Sequence, residues 1–206
     1  MGAMRQLSIV LLLFFSSQAA AQATDPEWPC IQVLVPEIVT AVMWPEIIPD
    51  EQLELWKSDP ELSDLVEELA SVDEFTEEEQ RRIEQFAESI PESARLATLN
   101  TVAQGIVTTA NKRRDKYIRG IKRYTRQQIA IANQIEATLN DLAVLDNNNA
   151  QTDKSETERA QIEETLNWHQ RVYDQREHAI TALCDVPVEL EINLSSVVRE
   201  LAQYLP

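Results

Sequence analysis

Histidine, cysteine and paired carboxylates are the groups from which this chain could build a reactive site. Its 206 residues include two histidines, two cysteines and 35 Asp and Glu. His169 and His178 are nine positions apart. On one helix that is about 2.5 turns, which turns the two rings to nearly opposite faces and rules out shared metal binding. His-Glu-x-x-His, Cys-x-x-Cys-His and Glu-x-x-His, the spacings of zinc, haem and di-iron ligands, do not occur. Glu67-Glu68, Glu77-Glu78-Glu79 and Glu163-Glu164 are adjacent acids. Neighbouring positions on a helix diverge, so these make no acid/base couple by themselves. Residues 146–153 lack the Gly and the closing Glu of a calcium loop and suit a turn instead. No serine stands in a Gly-x-Ser-x-Gly elbow. The expectation is a protein with no catalytic residues, metal or cofactor.

The two cysteines carry a different chemistry. Cys30 and Cys184 lie near opposite ends of the chain, in no Cys-x-x-Cys motif. A structural disulfide is the expectation, and it needs an oxidising compartment. Closing so long a loop would restrict the unfolded chain by about 4–5 kcal/mol in the entropy description.

Charge supplies the remaining candidate site. The formal net charge is −17, but it is unevenly spread. Residues 46–92 hold 17 acids and three bases, whereas 112–126 hold eight bases and one acid. The eight are Lys112, Arg113, Arg114, Lys116, Arg119, Lys122, Arg123 and Arg126. They form a candidate arm for docking a protein partner, unless the acidic segments neutralise them internally. Tyr117 and Tyr124 among them would suit nucleic-acid stacking, but the chain's acidity opposes long-range attraction to nucleic acid. A helix so basic around its circumference leaves no broad apolar face to lie on a membrane. Trp28, Trp44, Trp56 and Trp168 either anchor a core or line a small-ligand pocket.

These residues must be positioned by helices. Three glycines leave few places for hairpin turns or phosphate loops. Residues 1–23 read as a secretory signal peptide: Arg5, a short apolar run from Leu7 to Phe15, then Ala21-Gln22-Ala23 with cleavage after Ala23. That run is too short to cross a bilayer, so no stable membrane insertion is expected after cleavage. Residues 24–49 form a proline-rich apolar strap, expected to bury its hydrophobes along the helical body, with a short helix over 37–44. Residues 50–91 hold short acidic helices: one from Asp50 to Lys57, one opened by Asp59-Pro60, and one opened by the Thr76/Glu79 capping box.

Residues 92–183 are expected to form a long antiparallel hairpin with its turn near 146–153. Heptad-like steps include Leu99, Ile106, Ile121, Gln128 and Ile135 on one side and Leu166, His169, Val172, Arg176 and Ile180 on the other. With the turn near Asn149, Ile121 faces 177–180. About fifty residues in one helix would reach roughly 75–80 Å, so a kink at Gly105 or Gly120 is the alternative to a projecting arm. Pro187 should end the hairpin and begin a C-terminal helix over 187–205. Asn193-Leu194-Ser195 matches a glycosylation sequon, relevant only in a eukaryotic secretory route.

The fold class expected is therefore all-α, a helical bundle with a coiled-coil-like hairpin and an extended strap. The function expected is that of an exported, periplasmic, non-enzymatic adaptor or accessory protein in the cell envelope, docking a protein partner through the hairpin. The alternative is a periplasmic small-ligand carrier, with a pocket between strap, tryptophans and helices.

Overall fold

A computed structural model describes residues 25–147 and 153–206. The expected signal peptide, including its cleavage site, lies outside the described residues, as do 148–152 of the expected turn. The described residues form four α-helices and three 3-10 turns, with no strand among them. The helices are α1 (Pro60–Ala70), α2 (Glu77–Ser89), α3 (Glu92–Asn147) and α4 (Asp153–Ala202). The architecture is an all-α bundle built on a helical hairpin, α3 against α4.

Local signals set the helix starts. Asp59 accepts hydrogen bonds from the N–H groups of Glu61 and Leu62, with Pro60 in the first turn, where its missing N–H costs nothing. Thr76 and Glu79 complete the capping box of α2, each side chain accepting from the other residue's end of the first turn. Apolar stripes then decide packing. Leu65, Val66 and Leu69 of α1 and Ile83 of α2 are buried with Leu99, Val102, Ile106 and Val107 of α3 and Leu194, Val197, Val198 and Leu201 of α4. α1 lies on α3, and α2 lies on α4.

The long helix runs unbroken through both of its glycines. Gly105 is a close-approach position: an added Cβ would lie 2.7 Å from Val66 Cγ2 and 2.9 Å from the Trp56 ring. Gly120 faces open space. The hairpin register agrees with expectation. Tyr124 Oη donates to the carbonyl of Arg176 at 2.9 Å, and Gln128 Nε2 to that of Tyr173 at 2.9 Å.

Three local expectations fail. The helix expected over 37–44 is only a 3-10 turn, Thr40–Val42. Ile38, Val39, Thr40 and Val42 are β-branched, and eight residues are too few to offset their weak helix propensity. The helix expected from Asp50 to Lys57 is two 3-10 turns, Asp50–Gln52 and Leu55–Lys57, which drop Trp56 into the core. Finally, α4 runs unbroken through Pro187, so there is no separate helix over 187–205. Pro187 is buried between the Cys184 anchor and the buried Leu190 and Leu194. Packing on both sides outweighs the roughly 3 kcal/mol a mid-helix proline costs.

Candidate functional site

Beyond the core the hairpin continues alone. Among the described residues, none of α3 after Gln128 and none of α4 before Cys184 is buried. This stretch is a two-helix arm with a half-buried seam. At its root Arg176 lies over the Tyr124 ring, 3.9 Å from its centroid, and donates to Gln128 Oε1 at 3.1 Å and to the Tyr124 carbonyl at 3.2 Å. Toward its tip Arg159 pairs with Asp146 and with Glu163. Ile129, Leu139, Val144 and Trp168 are exposed along it. His169 stacks edge-on against Trp168, and its Nδ1 is buried without a hydrogen-bond partner among the described residues. His169, on the hairpin seam, is thus half-buried and, at that atom, unsatisfied. His178 is exposed, its Nδ1 2.7 Å from the Asp174 carbonyl.

The structure separates the eight basic residues into distinct tasks. Arg114, 5% exposed, directs its Nε at Glu191 at 2.5 Å and its Nη1 at the Val35 carbonyl at 2.6 Å. Lys122 pairs with Asp25 at 2.7 Å, and Arg126 with Glu27 at 2.6 Å. Arg113 donates to the Ala70 carbonyl at 3.1 Å, capping the end of α1, and pairs with Asp73. Arg119 pairs with Asp115 on its own helix. Lys112 lies over the Trp56 ring. Lys116 and Arg123 are exposed and have no ion pair among the described residues. Much of the basic segment therefore neutralises the strap and loops rather than the acidic helices, with Lys116 and Arg123 left outward.

The strap is fastened by these side chains. Cys30 is bonded to Cys184, with the Cα atoms 5.6 Å apart. The Asn111 amide binds both backbone groups of Ile38, and Asn100 Oδ1 accepts from Trp44 Nε1 at 2.7 Å. Lys122 also holds the Asp25 carboxyl below its ordinary pKa, mainly through their hydrogen bond.

The expected burial of the strap hydrophobes fails in large part. Trp44 is buried and Ile38, Met43 and Ile48 pack against the core, but Ile31, Val33, Val35, Val39, Val42 and Ile47 are exposed. A single extended layer sends neighbouring side chains to opposite sides, and nothing among the described residues covers the outer side. Two clefts open beneath the strap. One of about 490 Å3 includes Trp44, Ile48, Gln104 and Asn111 in its lining, and one of about 370 Å3 lies between the strap and α4. Of the tryptophans, Trp44 and Trp56 are core, Trp28 lines the smaller cleft and Trp168 is 55% exposed.

Sequence reasoning passed over Asn111 and Asn100, and saw Asn193 only as part of a sequon. Asn193 Nδ2 donates to the Asp73 carbonyl at 2.7 Å and its Oδ1 accepts from Phe75 N–H at 3.0 Å, so the sequon nitrogen is already engaged in tying the α1–α2 connection to α4. An asparagine within a helix is the available signal, because its amide gains little there unless it has a partner elsewhere.

Among the described residues no group of His, Cys, Asp and Glu could hold a metal ion, and no helix is long and apolar enough to cross a membrane. Fold and surface together define a disulfide-linked helical-hairpin protein with a strapped base and a projecting two-helix arm. No protein family, curated protein or solved structure matches the chain.

Proposed function

We propose that this is an exported, non-enzymatic interaction protein of the periplasm, an adaptor or accessory factor that docks a protein partner of the cell envelope through its helical hairpin. The arm carries this reading. From residue 129 to the end of α3 it runs roughly 28 Å at the usual helical rise, past the last buried side chain of that helix. A two-helix segment with a half-buried seam adds little to the core, yet it presents Leu139, Val144 and Trp168 outward at a defined distance from the body. The Cys30–Cys184 bond supports an oxidising compartment, and the leader-like residues 1–23 support export.

Lys116 and Arg123, exposed on the part of α3 that leads into the arm, are the basic residues best placed to meet the partner. Lys122 is a poorer probe because it holds Asp25. Affinity capture from the native envelope, with the wild-type chain and with the double variant Lys116→Glu/Arg123→Glu as bait, tests the site. Loss of one discrete partner with unchanged melting is expected. Unchanged capture would overturn it.

The larger cleft favours a second reading, a small-ligand carrier. Buried Trp44 beside the half-buried Asn111 and Gln104 combines an apolar wall with polar groups. Tryptophan fluorescence against apolar and anionic metabolites separates the two readings: saturable quenching by one of them favours the carrier.

A further inference from the structure

We infer that the smaller cleft, between the strap and α4, is a docking site for a protein segment that inserts apolar side chains and carries Lys or Arg beside them. This surface lies at the base of the molecule and stands independently of the arm.

The cleft has a volume of about 370 Å3. The strap lines it with Val33, Val35, Val39 and Val42, and α4 supplies Pro187 and Val188. All four strap valines are exposed, Val42 at 81% and Val33 at 73%. Single exposed apolar residues are ordinary on a protein surface, but four around one concavity make a contiguous patch of the kind that marks an interaction site. The strap is held from beneath by Arg114, Asn111 and the Cys30–Cys184 bond, so the patch is presented on a fixed frame.

Charge selects the occupant. Glu37 and Glu191 line the cleft. The cation in its lining, Arg114, is buried and spent on Glu191 and on the carbonyls of Val35 and Pro36. A fatty acid or other anionic amphiphile would meet the exposed carboxylate of Glu37, the already paired Arg114 and Glu191, and no available cation. An anionic lipid surface, or a second copy of this chain, would be repelled by a net charge of −17. A segment with basic residues beside its apolar anchors is attracted to the same rim.

Calorimetric titration of the disulfide-intact chain tests this. The probes are two synthetic peptides with identical leucine spacing, one flanked by lysines and one by glutamates, together with decanoate and phosphatidylglycerol vesicles. The lysine peptide should bind, and the glutamate peptide should bind at least about tenfold more weakly, a difference of about 1.4 kcal/mol. Val39→Ser/Val42→Ser, which removes apolar surface without adding charge, should weaken the lysine peptide by about tenfold or more, and so should Glu37→Lys, which alters charge without touching the apolar wall. Trp168→Ala, on the arm, should leave the affinity unchanged. Equal binding of both peptides, no binding of the lysine peptide, preferential binding of decanoate or vesicles, or a dimer that Val42→Asp dissociates would each overturn the inference.

Discussion

The side-chain amide of Asn111 pairs with the backbone of Ile38 in both directions, accepting from its N–H at 3.0 Å and donating to its carbonyl at 2.8 Å across 73 residues of sequence. The amide does here what a neighbouring strand would do. Arg114, three residues further along α3, takes the carbonyls of Val35 and Pro36. The strap is thus positioned more by polar side chains of α3 than by burial of its own hydrophobes.

Removing those side chains should therefore loosen the strap out of proportion to their size. Asn111→Ala leaves two backbone groups without their partner, at a cost of about 1–2 kcal/mol. Arg114→Met strands Glu191 and the strap carbonyls. Glu191 is partly exposed, so the loss should be about 2–3 kcal/mol, below that of a fully buried pair. Arg119→Ala, in an exposed pair one helical turn from Asp115, should cost less than about 0.5 kcal/mol. Urea midpoints of the three variants check this order.

The two helical glycines should respond with opposite sign. Gly105→Ala gains helix propensity of about 1 kcal/mol but forces a methyl to within 2.7 Å of Val66 and 2.9 Å of Trp56. A net destabilisation of about 1–2 kcal/mol is expected. Gly120→Ala meets nothing within 4 Å and should stabilise by about 0.5–1 kcal/mol. Thermal melts of the two single variants read both signs.

The disulfide joins the strap to the α4 segment that contains Pro187. Cys30→Ser/Cys184→Ser should lower stability by up to about 4–5 kcal/mol in the chain-entropy description. Amide exchange should rise first in the strap and around Pro187, while α1 and α2 keep their protection. Uniform loss of protection would contradict a clamp that acts locally.

Much of this fold was legible in the residues. Asp59-Pro60, Thr76 and Glu79 announce two helix starts, and the heptad steps give the hairpin, with Gln128 and Arg176 already on its seam. The cysteines could be paired because only two are present. What stayed hidden depends on long-range packing. Pro187 reads as a stop in isolation but is held in the helix by contacts on either side. Gly105 reads as a hinge until Trp56, far away in sequence, is seen to occupy the space beside it. The basic segment reads as one surface, although Arg113, Arg114, Lys122 and Arg126 reach parts of the chain that periodicity does not bring near them. The outward valines of the strap were hidden because an apolar segment gives no sign that only one of its sides will be covered.

The Asp25–Lys122 pair has a defined pH dependence. The folded pKa of Asp25 lies below its ordinary value, chiefly through the Lys122 hydrogen bond. A lowered carboxyl contributes its stabilisation fully above the unfolded pKa and loses it as the pH falls through the lower folded value. The Asp25–Lys122 contact should persist through the neutral range and weaken only below the ordinary aspartate range. Carboxyl carbon NMR should show Asp25 titrating below a free aspartate, and Lys122→Met should move it back up.

In the proposed function the arm docks a protein. A photo-reactive residue in place of Trp168, irradiated in the native envelope, tests it most directly. One discrete protein adduct is expected, lost when Lys116 and Arg123 are changed to Glu. A protein that stays uncross-linked at Trp168, Leu139 and Val144 alike would contradict it.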